Sequence, residues 1–141
     1  MQRKASAIWQ GDLKSGKGTI STDSGMLKQA QYSFSTRFEN GTGTNPEELI
    51  AAAHAGCFSM ALSSELGKAG LTAESIDTTC TLTLDFVEGK PTITASHLDV
   101  TVSIPGGDQG KFNAAAEAAE KGCPVSRVLN AKVTMSAKLN Q

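Results

Sequence analysis

The chain reads as an α+β protein arranged around one buried helix, and three observations predict that class. The stretch following Asn45 is apolar around its whole circumference from Leu49 to Leu62, broken only by His54 and Ser59, which a helix with one wet face would not be. Two long alternating runs, Ser75 to Val87 and Pro91 to Ile104, face each other across Glu88-Gly89-Lys90 and predict a hairpin that needs a helix on its apolar side. The elements follow the order β-β-β-α-β-β-α-α-β without repeats or low-complexity tracts, so antiparallel sheets are the default.

Taken in order, Ala5 to Gln10 is a short strand, GDLKSGKG turns, and Thr19 to Thr22 resumes extended structure. Asp23-Ser24-Gly25 is a second turn. Gln31 to Phe38 alternates, with Tyr32, Phe34, Thr36 and Phe38 on one side and Ser33, Ser35 and Arg37 on the other, which predicts a strand. Glu39 to Gly43 is loop. The central helix then starts on strong signals: Asn45 caps, Pro46 suits the first helical position, and Glu48 stands where a capping-box partner belongs. Gly67 and Gly70 supply its stop. Its run Ala51-Ala52-Ala53 with Ala55 and Gly56 leaves little side-chain bulk, so another backbone can approach closely there. In the alternating run after it, Ile76, Thr78, Cys80, Leu82, Leu84 and Phe86 share a face. Pro105 to Asp108 breaks the pattern, and Lys111 to Lys121 is an Ala/Glu/Lys helix with a solvated side. Gly122-Cys123-Pro124 interrupts it, Val125 to Leu129 gives a short helix, and Ala131 to Leu139 is a closing strand.

A length of 141 residues fits one domain, 1–141, with a core that folds without staples. Thirteen basic against 14 acidic residues give a net charge of −1, with no like-charge run beyond Arg3-Lys4 and Glu47-Glu48, so nucleic acid and anionic membrane are poor partners. The apolar run of the central helix falls short of the roughly 20 residues that cross a bilayer, and MQRKASAIWQGD has no apolar signal core. Three cysteines, an odd number widely spaced, do not make a secreted disulfide framework. A cytoplasmic protein is the expectation.

Chemistry concentrates on Cys57 and Cys123. Cys57 lies mid-helix between Gly56 and Phe58, where apolar surroundings raise a thiol and favour an inert role. Cys123 precedes Pro124 at a helix start, where N–H groups and the helix dipole favour a thiolate; a Gly-Cys-Pro turn also needs no chemistry. Cys80 alternates with Leu82 and Leu84 and reads as core, dispensable for any reaction. His54 stands one helical turn before Cys57, so it could open a metal site with Cys57, Cys123 and His97, or a Cys-His hydrolase. No Cys-x-x-Cys accompanies it, and a satisfied core histidine is the more common arrangement. Arg37 reads as a solvated strand residue, or as the one side chain certain to stay charged near a thiol at neutral pH.

The segment TNPEELIAAAHAGCFSMAL, followed 66 residues after its cysteine by GCPVS, resembles the OsmC/Ohr family of thiol peroxidases, most closely the OsmC branch of osmotically inducible proteins. The likeness extends to WQGDLKSGKGTIST and to Ser75-Ile76-Asp77-Thr78-Thr79. It implies an α+β OsmC-like fold in an intertwined homodimer, reduction of organic hydroperoxides in preference to hydrogen peroxide, and a dithiol reductant, with a lipoyl protein as in the Ohr branch, and no cofactor. Carried over by motif, Cys57 is the peroxidatic cysteine, Cys123 resolves it, Glu47 is the family's acidic residue and Arg37 its arginine. Local electrostatics points the other way, to Cys123 as the attacking thiol. The roles implied for Cys57 require that Arg37 offset its desolvation, and that an apolar bed of residues such as Phe58, Met60 and Phe38 select bulky peroxides. The alternatives are a redox sensor or small-molecule binding protein using the same cleft, and the Cys/His metal hydrolase.

Glu47 and Cys57 are ten residues apart, about 15 Å along a continuous helix. One chain's Glu47 therefore does not serve its own Cys57. The expectation is a site with Cys57 and Cys123 from one chain and Glu47, with Arg37, from another.

Overall fold

A computed structural model describes residues Met1–Gln141. It divides into two compact units, Met1–Leu49 and Ile50–Gln141. The boundary falls inside the long helix.

In the first unit, β1 (Ala5–Gln10) pairs antiparallel with β2 (Lys17–Thr22), and β2 pairs antiparallel with β3 (Ala30–Tyr32). The predicted strand over Gln31 to Phe38 ends at Tyr32. Phe34–Phe38 forms a short helix, α1. The reason is local. The Ser33 hydroxyl accepts from the Thr36 N–H at 3.2 Å while the Thr36 hydroxyl accepts from the Ser33 N–H at 2.8 Å, a reciprocal cap that outweighs alternation as a strand signal. Coiling the segment brings Phe34 and Phe38, four apart, to a ring-centroid separation of 4.9 Å. Asn45 then bridges two elements, donating through Nδ2 to the Thr36 carbonyl at 3.1 Å and accepting from the Glu48 N–H at 2.8 Å. The cap of the long helix is thus as predicted, except that Glu48 accepts from the Thr44 hydroxyl at 3.0 Å and not from the Asn45 N–H.

The long helix, α2, runs Pro46–Lys68, passing through Gly67 and ending at Gly70, whose φ of +76° suits the left-handed closing position. At 23 residues it is long and apolar enough to cross a bilayer by length and composition, which corrects the expectation that its apolar run falls short. Its inner stripe nevertheless belongs to a protein core: Phe58, Leu62 and Leu66 are fully buried. They pack with Leu98, Val100, Val102 and Ile104, and with Phe112, Ala115, Ala116 and Ala119 of a later helix.

In the second unit, β4 (Ser75–Val87) and β5 (Lys90–Ser103) form the long antiparallel hairpin. Glu88 and Gly89, at φ +51° and +75°, make the two-residue turn whose twist suits such a ribbon. Burial alternates along β4 as predicted, and a bulge between Thr83 and Leu84 shifts the register by one residue near the tip. Helix α3 (Gln109–Gly122) is capped by Asp108, which accepts from the Lys111 N–H at 2.8 Å. It buries Phe112 and three alanines on one side, then gives way to α4 (Pro124–Val128) and β6 (Lys132–Asn140). One default fails here: β6 pairs parallel with β5. The chain leaves the end of β5 and returns through α3 and α4, a crossover long enough to bring β6 in with the same direction.

Against the expectation from its composition, helix α2 is not covered on all sides within the chain. Ala52, Ala53, Gly56 and Met60 are exposed, Met60 at 78%, and a Cβ added at Gly56 would meet no atom within 4 Å.

Candidate active site

Two pairs of the expected residues come together, each inside its own unit. In the first, Arg37 on α1 donates through Nε and Nη2 to Glu47 Oε1, at 3.0 and 2.7 Å. The Arg37 side chain is 39% exposed while that of Glu47 is 11% exposed, so the guanidinium keeps a wet edge and the carboxylate does not. Arg37 therefore sits on a capped helix and in an ion pair, not on a solvated strand. Its guanidinium carbon lies 5.2 Å from the Phe38 ring centroid, a cation–π contact. Glu47 Oε2 is buried and has no hydrogen-bond partner. A buried carboxylate oxygen without a donor is costly, and such a cost is usually kept where a group meets a ligand or another chain. Beside the pair, Trp9, Leu13, Tyr32, Phe34 and Phe38 line an apolar hollow of about 270 Å³ with Arg37 at its wall.

In the second unit the two motif cysteines meet. Cys57 on α2 is half-buried and Cys123, between α3 and α4, is fully buried; both are free thiols. Burial pushes the Cys57 thiol up; the Val125 N–H opposes this, and the neighbouring Cys123 raises it further, leaving it above its ordinary range. Burial also pushes Cys123 up, but donors outweigh it: the Ser126 N–H, the Cys57 thiol, the Ser126 hydroxyl and the Val125 N–H together bring it below its ordinary range. The sulfur closes no cap hydrogen bond of strict geometry at the start of α4, so these N–H groups act as oriented dipoles. Of the two thiols, Cys123 is the one that gives up its proton more readily, as local electrostatics predicts. No cation is among the groups acting on Cys57 within its unit.

Phe58, expected to line the substrate bed, is instead fully buried in the core, because position 58 falls on the inner stripe of α2 with Leu62 and Leu66. Met60 points to the exposed side, and Phe38 lines the hollow beside Arg37. The four groups weighed as a metal site do not assemble. His54 is buried against Ser96, whereas His97, next along β5 and so on the opposite sheet face, lies 2.6 Å from the Thr134 hydroxyl through Nδ1 and 3.3 Å from Asp99 through Nε2. No group of three His, Cys, Asp or Glu side chains is arranged to hold a metal ion.

Sequence reasoning missed the partners of His54. Its Nδ1 lies 2.7 Å from Ser96 Oγ and its Nε2 2.7 Å from Ser126 Oγ. Ser126 was visible only as the last letter of GCPVS, and Ser96 only as a small residue on the inner face of β5. Burial lowers the ring's affinity for a proton, so His54 is the satisfied neutral core histidine.

Comparison with known proteins places the chain in a family. Residues 39–138 match the family model described as OsmC-like protein. The chain is 52% identical over 139 residues, covering 99% of itself and 97% of the relative, to peroxiredoxin OsmC of Escherichia coli (strain K12). Among solved structures, an OsmC-like protein of unknown function from Vibrio cholerae matches with a TM-score of 0.78 at 18% identity, covering 97% of this chain and 99% of the other, which speaks to the fold. The organic hydroperoxide resistance protein OhrB of Bacillus subtilis matches with a TM-score of 0.65 at 25% identity, covering 97% and 98%. With the family model matching residues 39–138 and a relative 52% identical almost end to end, the chain belongs to the family of OsmC-like proteins.

Proposed function

We propose that the chain is a cysteine-based peroxidase that reduces organic hydroperoxides to alcohols at Cys57, with Cys123 as resolving thiol. The Cys57 thiolate attacks one peroxide oxygen, the O–O bond breaks, the alkoxide leaves and takes a proton, and the sulfur becomes a sulfenic acid. Cys123 then condenses with it to a Cys57–Cys123 disulfide, releasing water, and a dithiol returns the pair to its reduced state. The observation that carries this reading is the contact between the two thiols in a chain 52% identical to a peroxiredoxin. The organic substrate class is supported by the apolar hollow at Arg37. A lipoyl-protein dithiol fits the chemistry of the reductant, and a cytoplasmic setting fits three free thiols.

Cys57 needs a cation that its own unit does not supply, and the Arg37–Glu47 pair has an exposed guanidinium edge and an unpartnered oxygen. In this reading the chain acts as one OsmC-like domain in an intertwined homodimer, with Arg37 and Glu47 of one chain serving Cys57 and Cys123 of the other. The exposed ridge of Ala52, Gly56 and Met60, spaced four apart along α2, is the surface on which two such helices would approach. The deciding measurement is turnover of cumene hydroperoxide against hydrogen peroxide with a dithiol, for wild type, Cys57→Ser and Cys123→Ser. Expected are faster turnover of the organic peroxide, none in Cys57→Ser, and oxidation that stalls after one equivalent in Cys123→Ser. Sustained turnover by Cys57→Ser overturns the assignment, and a single oxidation of wild type without turnover makes the chain a sensor instead.

A further inference from the structure

The reaction as written leaves one buried titratable side chain unused. His54 is fully buried, and both ring nitrogens meet hydroxyls at 2.7 Å, Ser96 on one side and Ser126 on the other. The other polar group beside the ring is the Cys80 thiol of β4, 3.8 Å from Nδ1. No charged group contributes to its titration. A neutral imidazole has one donor and one acceptor nitrogen, and a hydroxyl both donates and accepts. The series Ser96, His54, Ser126 can therefore point in only two directions. In one, Ser96 donates to Nδ1, Nε2–H donates to Ser126, and the Ser126 O–H is left to donate onward. In the other, Nδ1–H donates to Ser96 and the Ser126 O–H is spent on Nε2.

The onward neighbour of Ser126 is Cys123. Ser126 is the third residue of α4 after the cap position Cys123, with the Arg127 N–H donating to the Cys123 carbonyl at 3.0 Å; a side chain at that position faces back to the cap residue, and the hydroxyl is among the groups that lower the Cys123 thiol. We propose that His54, acting through Ser126, is a positioning residue for the resolving step: as the Nε2–H tautomer it turns the Ser126 O–H toward Cys123 and holds that sulfur as the thiolate that attacks the Cys57 sulfenic acid. This rests on the peroxidase reading above. In the step itself the Cys123 thiolate attacks the Cys57 sulfur, the S–S bond forms, the S–O bond breaks, and the departing hydroxide takes a proton and leaves as water. No oxidant beyond the peroxide already consumed is needed. Once the disulfide has formed, the Ser126 O–H has lost its anionic acceptor and the chain of hydrogen bonds is free to reverse. The Cys80 thiol lies 3.2 Å from Ser96 Oγ at the far end of the series, where an S–H donating to Ser96 is compatible with Ser96 donating to Nδ1.

The test uses two readouts. In Cys57→Ser/Cys80→Ala protein, Cys123 is the only thiol, and its thiolate absorbance is followed against pH. Adding Ser126→Ala should move the midpoint upward by about one pH unit, a tenfold loss of thiolate below it. Ser126→Thr, which keeps a hydroxyl, should restore the midpoint, and His54→Ala should move it in the same direction as Ser126→Ala. In protein with both motif cysteines, one equivalent of cumene hydroperoxide is added and the sulfenic acid is trapped with dimedone. Ser126→Ala should leave its formation within about twofold of wild type and slow its conversion to disulfide about tenfold near neutral pH. A Cys123 midpoint unmoved by Ser126→Ala overturns the proposal, as does equal slowing of both steps. The titration involves no peroxide, so its outcome stands apart from any failure of the peroxidase reading, which Cys57→Ser turnover reports.

Discussion

Cys57 and Cys123 occupy one small volume with opposite tendencies, because the N–H groups at the start of α4 surround one sulfur more fully than the other. A third thiol, Cys80, touches the same network without belonging to the pair. Ser96 meets His54 directly, without the Cys80 sulfur between them, so Cys80→Ala should cost on the order of 1 kcal/mol in denaturant unfolding through lost packing and leave peroxide turnover intact. A folded Cys80→Ala protein without turnover would contradict the two-cysteine scheme. His54 carries a pH dependence of its own. Its folded-state pKa lies below the ordinary value of about 6.5, so between those two values the unfolded chain binds the proton and the native one does not. The stability this group contributes is present above about pH 6.5 and is lost as pH falls toward the lower, folded value. Thermal unfolding followed downward from pH 7 should show the midpoint falling, with net proton uptake on unfolding in that window. A midpoint that is flat there would mean that the native ring takes up its proton as readily as the unfolded one.

At the scale of elements, the short helix α1 carries more consequence than its five residues suggest. It holds Arg37 where Nε and Nη2 both reach Glu47, and its start depends on Ser33 and Thr36 capping each other. Ser33→Ala removes one side of that box. The expected loss is about 1 kcal/mol, and turnover should fall more than the change in stability explains because Arg37 loses its fixed position. Ser33→Asp, which can accept from the Thr36 N–H, should recover most of both. The control is Ser35→Ala, on the same helix but outside the cap, which should change neither. The capping signal Ser-x-x-Thr was present in the sequence and the alternation of Tyr32, Phe34, Thr36 and Phe38 obscured it, since four alternating positions are matched as well by a strand as by a turn of helix with Phe at i and i+4. The parallel pairing of β6 had no comparable local signal.

For the whole molecule, the question is what covers α2. Its apolar character all round is compatible with the buried stripe of Phe58, Leu62 and Leu66, but Ala52, Gly56 and Met60 remain outward. The proposed homodimer gives that ridge a partner and gives Cys57 a cation. Cys57→Ser and Glu47→Ala chains, each impaired alone, should therefore regain activity when unfolded and refolded together, to about a quarter of wild type for random pairing with one intact site in half of the dimers. A fully active monomer in gel filtration at assay concentration would sink the arrangement.

Elements whose signals are local were legible in the residues alone. The cap at Asn45, the hairpin over Ser75–Val87 and its partner, the Ala/Glu/Lys helix around Lys111 to Lys121 and each of the two cysteine motifs depend on residues within a turn or a strand of one another. Long-range packing fixes which way β6 runs, that Phe58 is core and not substrate bed, that His97 and His54 lie on opposite faces of β5, and that His54 joins Ser96 and Ser126 across separations of 42 and 72 residues. Those outcomes depend on which faces meet after the chain has closed long loops, and no periodicity within a single segment encodes them.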